Sequence, residues 1–317
     1  MASILSKRKP YSINQSPLYK LQTRRKLASL FDLSVVELER LAKKPDNYRV
    51  FTIGKEKGKP RQVEEPKPRL ERIHRRLFNL LRRIEPPEYL HSGTKGKSYI
   101  TNAKTHIGSD TLITLDIQKF FPSTCGWHVF EFFHDVMHCS RDVAGLLTRI
   151  STCHDHVPTG SCLSQVIAFY AHYSMFEEIH SLTSSMNLVM TCYVDDLAIS
   201  GKNANKAVLH EIRCILQKRG LRSHPKKESV FRRGVPKEIT GSIVLDNGLK
   251  LPNRKHEKIH NEIRLILKLD DSKEKLALLN VTMGRLIAAN QSDSALSRQV
   301  RSLRCEVNRI EKLVSFN

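Results

Sequence analysis

The chain has 317 residues, with 53 Lys and Arg against 32 Asp and Glu, and its formal charge of +21 is spread along the length instead of sitting in a tail. Such an excess points to a polyanionic partner, because neutralising phosphates releases counterions. No apolar stretch reaches the length of a membrane-spanning helix, and Lys7, Arg8 and Lys9 end the short apolar start, so a soluble cytoplasmic protein with no membrane partner is expected.

In chain order, Ser34 and Glu37 form a predicted capping box that opens an amphipathic helix with Val35, Val36, Leu38 and Leu41 as its apolar side. Residues 49–53 alternate, 54–58 carry turn chemistry and 61–64 read as the returning strand of a hairpin. Between Pro66 and Pro86, Leu70, Ile73, Leu77, Leu80, Leu81 and Ile84 recur at helical spacing. Six arginines cover the rest of that surface, as a solvated face or as a nucleic-acid contact. The β-branched run 111–117 is a strand ending in an acid, and helices are predicted near 126–138 and 141–152.

Seven cysteines without a CxxC pair argue against a disulfide framework and against a zinc ribbon. Cys153-His154-Asp155-His156 holds metal-ligand residue types, but neighbours this close need help from elsewhere to face one ion, and a polar loop is the simpler reading. The Pro158-Thr159-Gly160 turn precedes a helix over about 163–179, apolar enough to be buried. Residues 188–194 and 197–200 are strand-like and flank Asp195-Asp196, a predicted tight turn. A helix over 205–218 ends at Gly220, short strands follow near 229–231 and 238–245, and a basic helical region runs from about 254 to 317. The order of elements is that of an α+β protein with an antiparallel sheet backed by helices.

Asp116 ends its strand inside the core-like run Leu115-Asp116-Ile117, where a carboxylate needs a cation or hydrogen-bond donors. If that strand lies beside the Asp195-Asp196 hairpin, three carboxylates meet at one sheet edge. Hard oxygen ligands of this kind suit Mg²⁺, and two such ions stabilise the attacking and leaving oxygens of an in-line phosphoryl transfer. Each motif alone has a bland explanation, an exposed turn or a helix cap.

With those residues in place, the sequence resembles the reverse transcriptases from about residue 49 to 245. Tyr193-Val194-Asp195-Asp196 looks like the family's metal-binding turn, and Leu115-Asp116 followed by Phe120-Phe121-Pro122-Ser123 looks like its first catalytic motif. The resemblance implies a right-hand polymerase: an N-terminal helix and fingers over 1–110, a palm over 111–245 with some fingers elements interleaved, and a small helical thumb over 246–317. It implies two Mg²⁺ ions held by Asp116, Asp195 and Asp196. Phe121 corresponds to the bulky side chain that excludes a ribose 2′-hydroxyl, although the adjacent Phe120 makes a core role an open alternative. Arg61, with Lys59 as helper, sits where the fingers bind the triphosphate; Pro158-Thr159-Gly160 resembles the motif that packs on template and nucleotide, with Thr159 in place of the usual Gln. Lys227, with Lys226 as an alternative, matches a basic position near the leaving pyrophosphate.

Within that family, Asn102-Ala103-Lys104-Thr105-His106 and Ile239-Thr240-Gly241 resemble two elements of the bacterial retron branch, which usually has Ala where this chain has Val194. The likeness implies reverse transcription of part of a structured noncoding RNA from an internal guanosine 2′-hydroxyl, with deoxynucleoside triphosphates as substrates and branched multicopy DNA as product. It further implies a host ribonuclease H, an effector protein and a role in antiviral defence. Asn102 and His106 are candidate RNA contacts, His106 also having a structural hydrogen bond as its plainer reading. Arg254, Lys255 and Lys258, with Arg264, Lys268, Arg298, Arg301, Arg304 and Arg309, are candidate RNA-binding cations that would read RNA shape. The rival readings are a group II intron-like or diversity-generating reverse transcriptase, and a non-catalytic RNA-binding scaffold on a polymerase fold.

Overall fold

The computed structural model describes residues 9–54, 60–269 and 272–315. Helices α1 (Arg24–Leu30) and α2 (Val35–Lys43) come first, and α2 opens with the expected capping box: Ser34 Oγ accepts from Glu37 N while the Glu37 carboxylate accepts from Ser34 N. Strands β1 (Tyr48–Ile53) and β2 (Arg61–Pro66) pair antiparallel with Ile53 opposite Arg61. Most of the turn between them, with Lys59, lies outside the described residues. Helix α3 (Pro68–Leu81) starts on a proline, buries Leu70, Ile73, Leu77, Leu80 and Leu81, and turns Arg69, Arg72, Arg75 and Arg76 outward.

Next follow α4 (Tyr99–Lys104), β3 (Leu112–Asp116), α5 (Phe120–Ser123), α6 (Gly126–Glu131) and α7 (Arg141–Ser151). The predicted 126–138 helix is α6 continued by a wide π-helical turn, Phe132–Val136. The predicted single helix at 163–179 is instead two, α8 (Ser164–Ala171) and α9 (Tyr173–Ser185). The break is His172, whose backbone leaves the helical region (φ −113°, ψ 19°) while its buried ring makes a 3.1 Å contact with Thr124 Oγ1. Tertiary packing here overrides a continuous apolar pattern. Phe132, Phe133 and Phe176 are fully buried in the main core, each worth about 1.5–3 kcal/mol of apolar transfer.

Strands β4 (Val189–Tyr193) and β5 (Asp196–Ser200), helix α10 (Lys206–Lys218) and strand β6 (Ser229–Phe231) complete a four-stranded antiparallel sheet in the order β4-β5-β3-β6. Its register puts Asp116 opposite Asp196. The expected single strand at 238–245 is a hairpin of β7 (Lys237–Ile239) and β8 (Ser242–Leu245), joined to a third strand β9 (Gly248–Lys250). Its turn is Thr240-Gly241, with φ of 44° and 79°, which is why glycine stands second. Helices α11 (Asn253–Lys268), α12 (Ser272–Asn290) and α13 (Ser297–Ser315) close over their own apolar core, including Ile259, Ile266, Leu279, Leu286 and Ile310. No helix among the described residues is long and apolar enough to cross a membrane.

Candidate active site

The β4–β5 turn consists of Val194 and Asp195, since Tyr193 pairs with Asp196. Val194 holds φ at 60°, a region that penalises a β-branched side chain, at a cost of about 1–3 kcal/mol. Two features hold the turn there: Val194 N donates to Ser92 Oγ at 2.9 Å, and its side chain packs on the core. Ile117 N donates to Asp195 O at 2.8 Å, tying the turn to the end of β3. Sequence order supplies no sign of Ser92, which lies 102 residues away.

These constraints bring one carboxylate oxygen from each of Asp116, Asp195 and Asp196 within 4.8 Å of one another. Asp116 is 7% exposed and the other two are half-buried. Burial, then the like charges of Asp195 and Asp116, push Asp196 up to about 7; burial and Asp116 also raise Asp195. Three carboxylates crowded this closely are an all-oxygen donor set suited to a divalent cation, so the residues present fit Mg²⁺.

Two cations face the cluster. Lys227 Nζ donates to Asp116 Oδ2, and its ammonium is stabilised first by that bond and then by the surrounding acids, which raises its pKa. Of the two expected lysines, Lys227 is therefore the one at the acids. Arg61, exposed at the start of β2, is close enough for its charge to favour ionised Asp195.

The remaining expected residues separate by environment. Phe120 is 3% exposed and sits among Phe176 and His172, whereas Phe121 is half-buried at the core's edge. Gly160 answers to close approach: a Cβ there would come within 2.8 Å of Glu64 O and of Val63 Cγ1, and Gly160 N donates to Glu64 O at 3.1 Å. Thr159 adds a bond from Oγ1 to Gln62 O at 3.0 Å, so the 158–160 turn is docked on the strand that carries Arg61.

Asn102 and His106 are not surface groups, which corrects the expected RNA contact. His106 is fully buried with its ring nitrogens 2.7 Å from Ser200 Oγ and 2.8 Å from Thr191 Oγ1, so it braces the strands on either side of the Asp195 turn. Burial pushes it down to about 3 and keeps it neutral. Asn102, 1% exposed, approaches Thr240 Oγ1 through Nδ2, and Thr240 Oγ1 donates to Tyr99 O at 3.0 Å. The Asn102–His106 and Ile239–Gly241 elements thus meet as one structural unit. Arg254 pairs with Glu238, and Lys255 Nζ donates to Gly241 O at 2.6 Å, so these two clamp the β7–β8 hairpin. Lys258, Arg264, Lys268, Arg298, Arg301 and Arg304 are exposed, while Arg309 pairs with Glu306.

A strand-end aspartate beside a two-acid hairpin, backed by helices and followed by a helical C-terminal unit, is the right-hand polymerase fold. Telomerase from Candida albicans, solved with a fragment of telomeric RNA, shares it at a TM-score of 0.51 and 10% identity, over 90% of this chain and 65% of that one. No family model matches the chain. Among curated proteins it is similar to the retron Ec48 reverse transcriptase of Escherichia coli, 28% identical over 309 residues that cover 89% of this chain and 74% of that protein. It is also similar to the retron Se72 reverse transcriptase of Salmonella heidelberg, 35% identical over 157 residues that cover 49% of this chain and 41% of that protein. By sequence, then, the chain is a relative of the retron reverse transcriptases.

Proposed function

We propose that the chain is an RNA-directed DNA polymerase of the retron type, working in the bacterial cytoplasm. The observation that carries the reading is the Asp116–Asp195–Asp196 cluster on paired strands with Arg61 and Lys227 facing it. In this reading the fingers (1–110) supply Arg61 and Lys59 to the triphosphate, the palm (111–245) holds the acids, and the thumb (246–317) grips the template-primer duplex through exposed cations such as Lys258 and Arg301. Asp116, Asp195 and Asp196 would hold two Mg²⁺ ions, which would supply Lewis-acid stabilisation of the charge that develops in phosphoryl transfer. Phe121 guards against a 2′-hydroxyl on the incoming sugar, Gly160 lets the 158–160 turn approach the fingers strand, and Lys227 balances charge near the departing pyrophosphate.

The protein's own work is positioning and charge stabilisation. The proposed template is a structured noncoding RNA, primed from an internal guanosine 2′-hydroxyl to give branched multicopy DNA. A host ribonuclease H removes copied RNA, and an effector protein and antiviral defence complete the setting. Isolating the nucleic acid that copurifies with the protein, before and after ribonuclease treatment, tests this. A branched DNA with a ribonuclease-sensitive arm is expected; linear RNA alone would favour a non-catalytic scaffold.

A further inference from the structure

The turn Cys153-His154-Asp155-His156 lies outside the acid cluster and has an unusual build. Cys153 and His156 bond each other's backbones in both directions, N to O at 2.8 and 3.0 Å. The two residues between them are left-handed, with φ of 47° and 61°. Neither is glycine, so the turn stores about 1–2 kcal/mol for each. What it achieves is to fold the His154 ring back until Nδ1 is 3.5 Å from Cys153 Sγ, so that adjacent residues face a common point. Asp155 turns the other way, toward Gly126.

The partner from elsewhere is Glu64 on β2. Its side chain is only 5% exposed, and the single ion pair it forms among the described residues is with His156, whose Nε2 lies 3.0 and 3.1 Å from the two carboxylate oxygens. One donor atom each from Glu64, Cys153 and His154 fall within 4.8 Å of one another. Beside them the Tyr48 hydroxyl is buried with no hydrogen-bond partner, close enough to Cys153 and Glu64 for both to act on it electrostatically. A buried carboxylate, a buried thiol and an imidazole thus converge on one point, where a compact cation would offset their desolvation.

We propose that Glu64, Cys153 and His154 bind a zinc-class transition-metal ion, with His156 fixing the orientation of the Glu64 carboxylate that it contacts. The mixed oxygen, sulfur and nitrogen set favours zinc over Mg²⁺, in contrast to the all-oxygen aspartate cluster. Water completes the fourth position on the exposed His154 side. The ion clasps β2, which carries Arg61, to the turn that leads into Thr159 and Gly160, and so fixes the spacing of the two segments. The site does not depend on the polymerase reading, and its test does not use DNA synthesis.

Tag-free full-length protein, purified with zinc and dialysed in Mg²⁺ buffer, is expected to retain about one zinc per chain, and Cys153→Ser and His154→Ala about a tenth of that or less. Replacing zinc with Co²⁺ should produce the near-ultraviolet thiolate-to-cobalt charge-transfer band in the wild type. A chelator selective for transition metals over Mg²⁺ should lower the wild-type melting temperature and leave that of Cys153→Ser unmoved. Should a variant fail to fold, the wild-type cobalt spectrum decides alone: no thiolate band overturns the proposal. Zinc held equally by wild type and both variants, or far below stoichiometry in the wild type, overturns it as well.

Discussion

Replacing Asp195 and Asp196 together by Asn should make the metal-free protein more stable while removing its chemistry. Moving the Asp196 carboxyl from 3.8 to about 7 corresponds to roughly 4 kcal/mol in a fully dry site. Asp196 is only half-buried, so water screens part of the repulsion, and about 1–2 kcal/mol is the reasonable share. In a chain of this size that is a rise in melting temperature of about 1.5–3 °C. The sign follows from linkage: a folded-state carboxyl raised above its unfolded value holds its proton more tightly, so native stability falls as pH rises from about 4 to about 7 and levels off above. The variant's advantage should therefore be absent near pH 4 and complete near pH 8, and Mg²⁺ should shrink it by stabilising the wild type alone. Differential scanning fluorimetry across that pH range, with and without Mg²⁺, reads all three effects. A variant less stable than wild type at pH 8 without metal, or a pH-independent gap, would refute the crowding argument.

Other consequences are open to the same methods. His106→Ala leaves the Ser200 and Thr191 hydroxyls without their partner and opens a cavity, so it should cost about 2–4 kcal/mol by denaturant unfolding, with RNA affinity at low temperature unchanged. A loss of RNA binding without a loss of stability would restore the surface role. Because burial holds His106 near 3 in the folded state, the wild type should lose stability as pH falls below about 6.5, where the unfolded imidazole takes up its proton, and His106→Gln should lose less. Arg61→Ala, at an exposed strand end, should raise KM for deoxynucleotides about tenfold with melting temperature little changed. Gly160→Ala forces a methyl toward Glu64 O and should cost about 1–3 kcal/mol; an undisturbed melting curve would show that the two segments have room to part.

Local patterns carried much of the architecture. The capping box at Ser34, the arginine-covered α3 and the helix expected at 205–218 rest on signals within a few residues, and the structure contains each, while the turn expected at Asp195-Asp196 sits one residue earlier, at Val194-Asp195. What was not legible depends on contacts far apart in sequence. The His172 break in an apolar helix is set by Thr124, the role of His106 by Ser200 94 residues later, and the geometry of Val194 by Ser92. The Asp116 carboxylate was recognisable as misplaced in a core-like run, but its place opposite Asp196 is a matter of strand register, which no single segment encodes. The Cys153–His156 turn reads as a polar loop until Glu64 arrives from another strand. Lys258 and the exposed arginines of α13 stayed ambiguous for a simpler reason, since a cation on a helix face looks the same whether it meets water or phosphate.

On the proposed reading, the aspartate cluster is what copies RNA into DNA. Extension of a primer on an RNA template with deoxynucleotides and Mg²⁺, comparing wild type with the Asp195→Asn, Asp196→Asn double variant at matched fold and matched RNA binding, tests it directly. Mg²⁺-dependent cDNA from the wild type and none from the variant is the predicted result. Equal synthesis by both proteins, or none by a wild type that binds its RNA, would contradict the account.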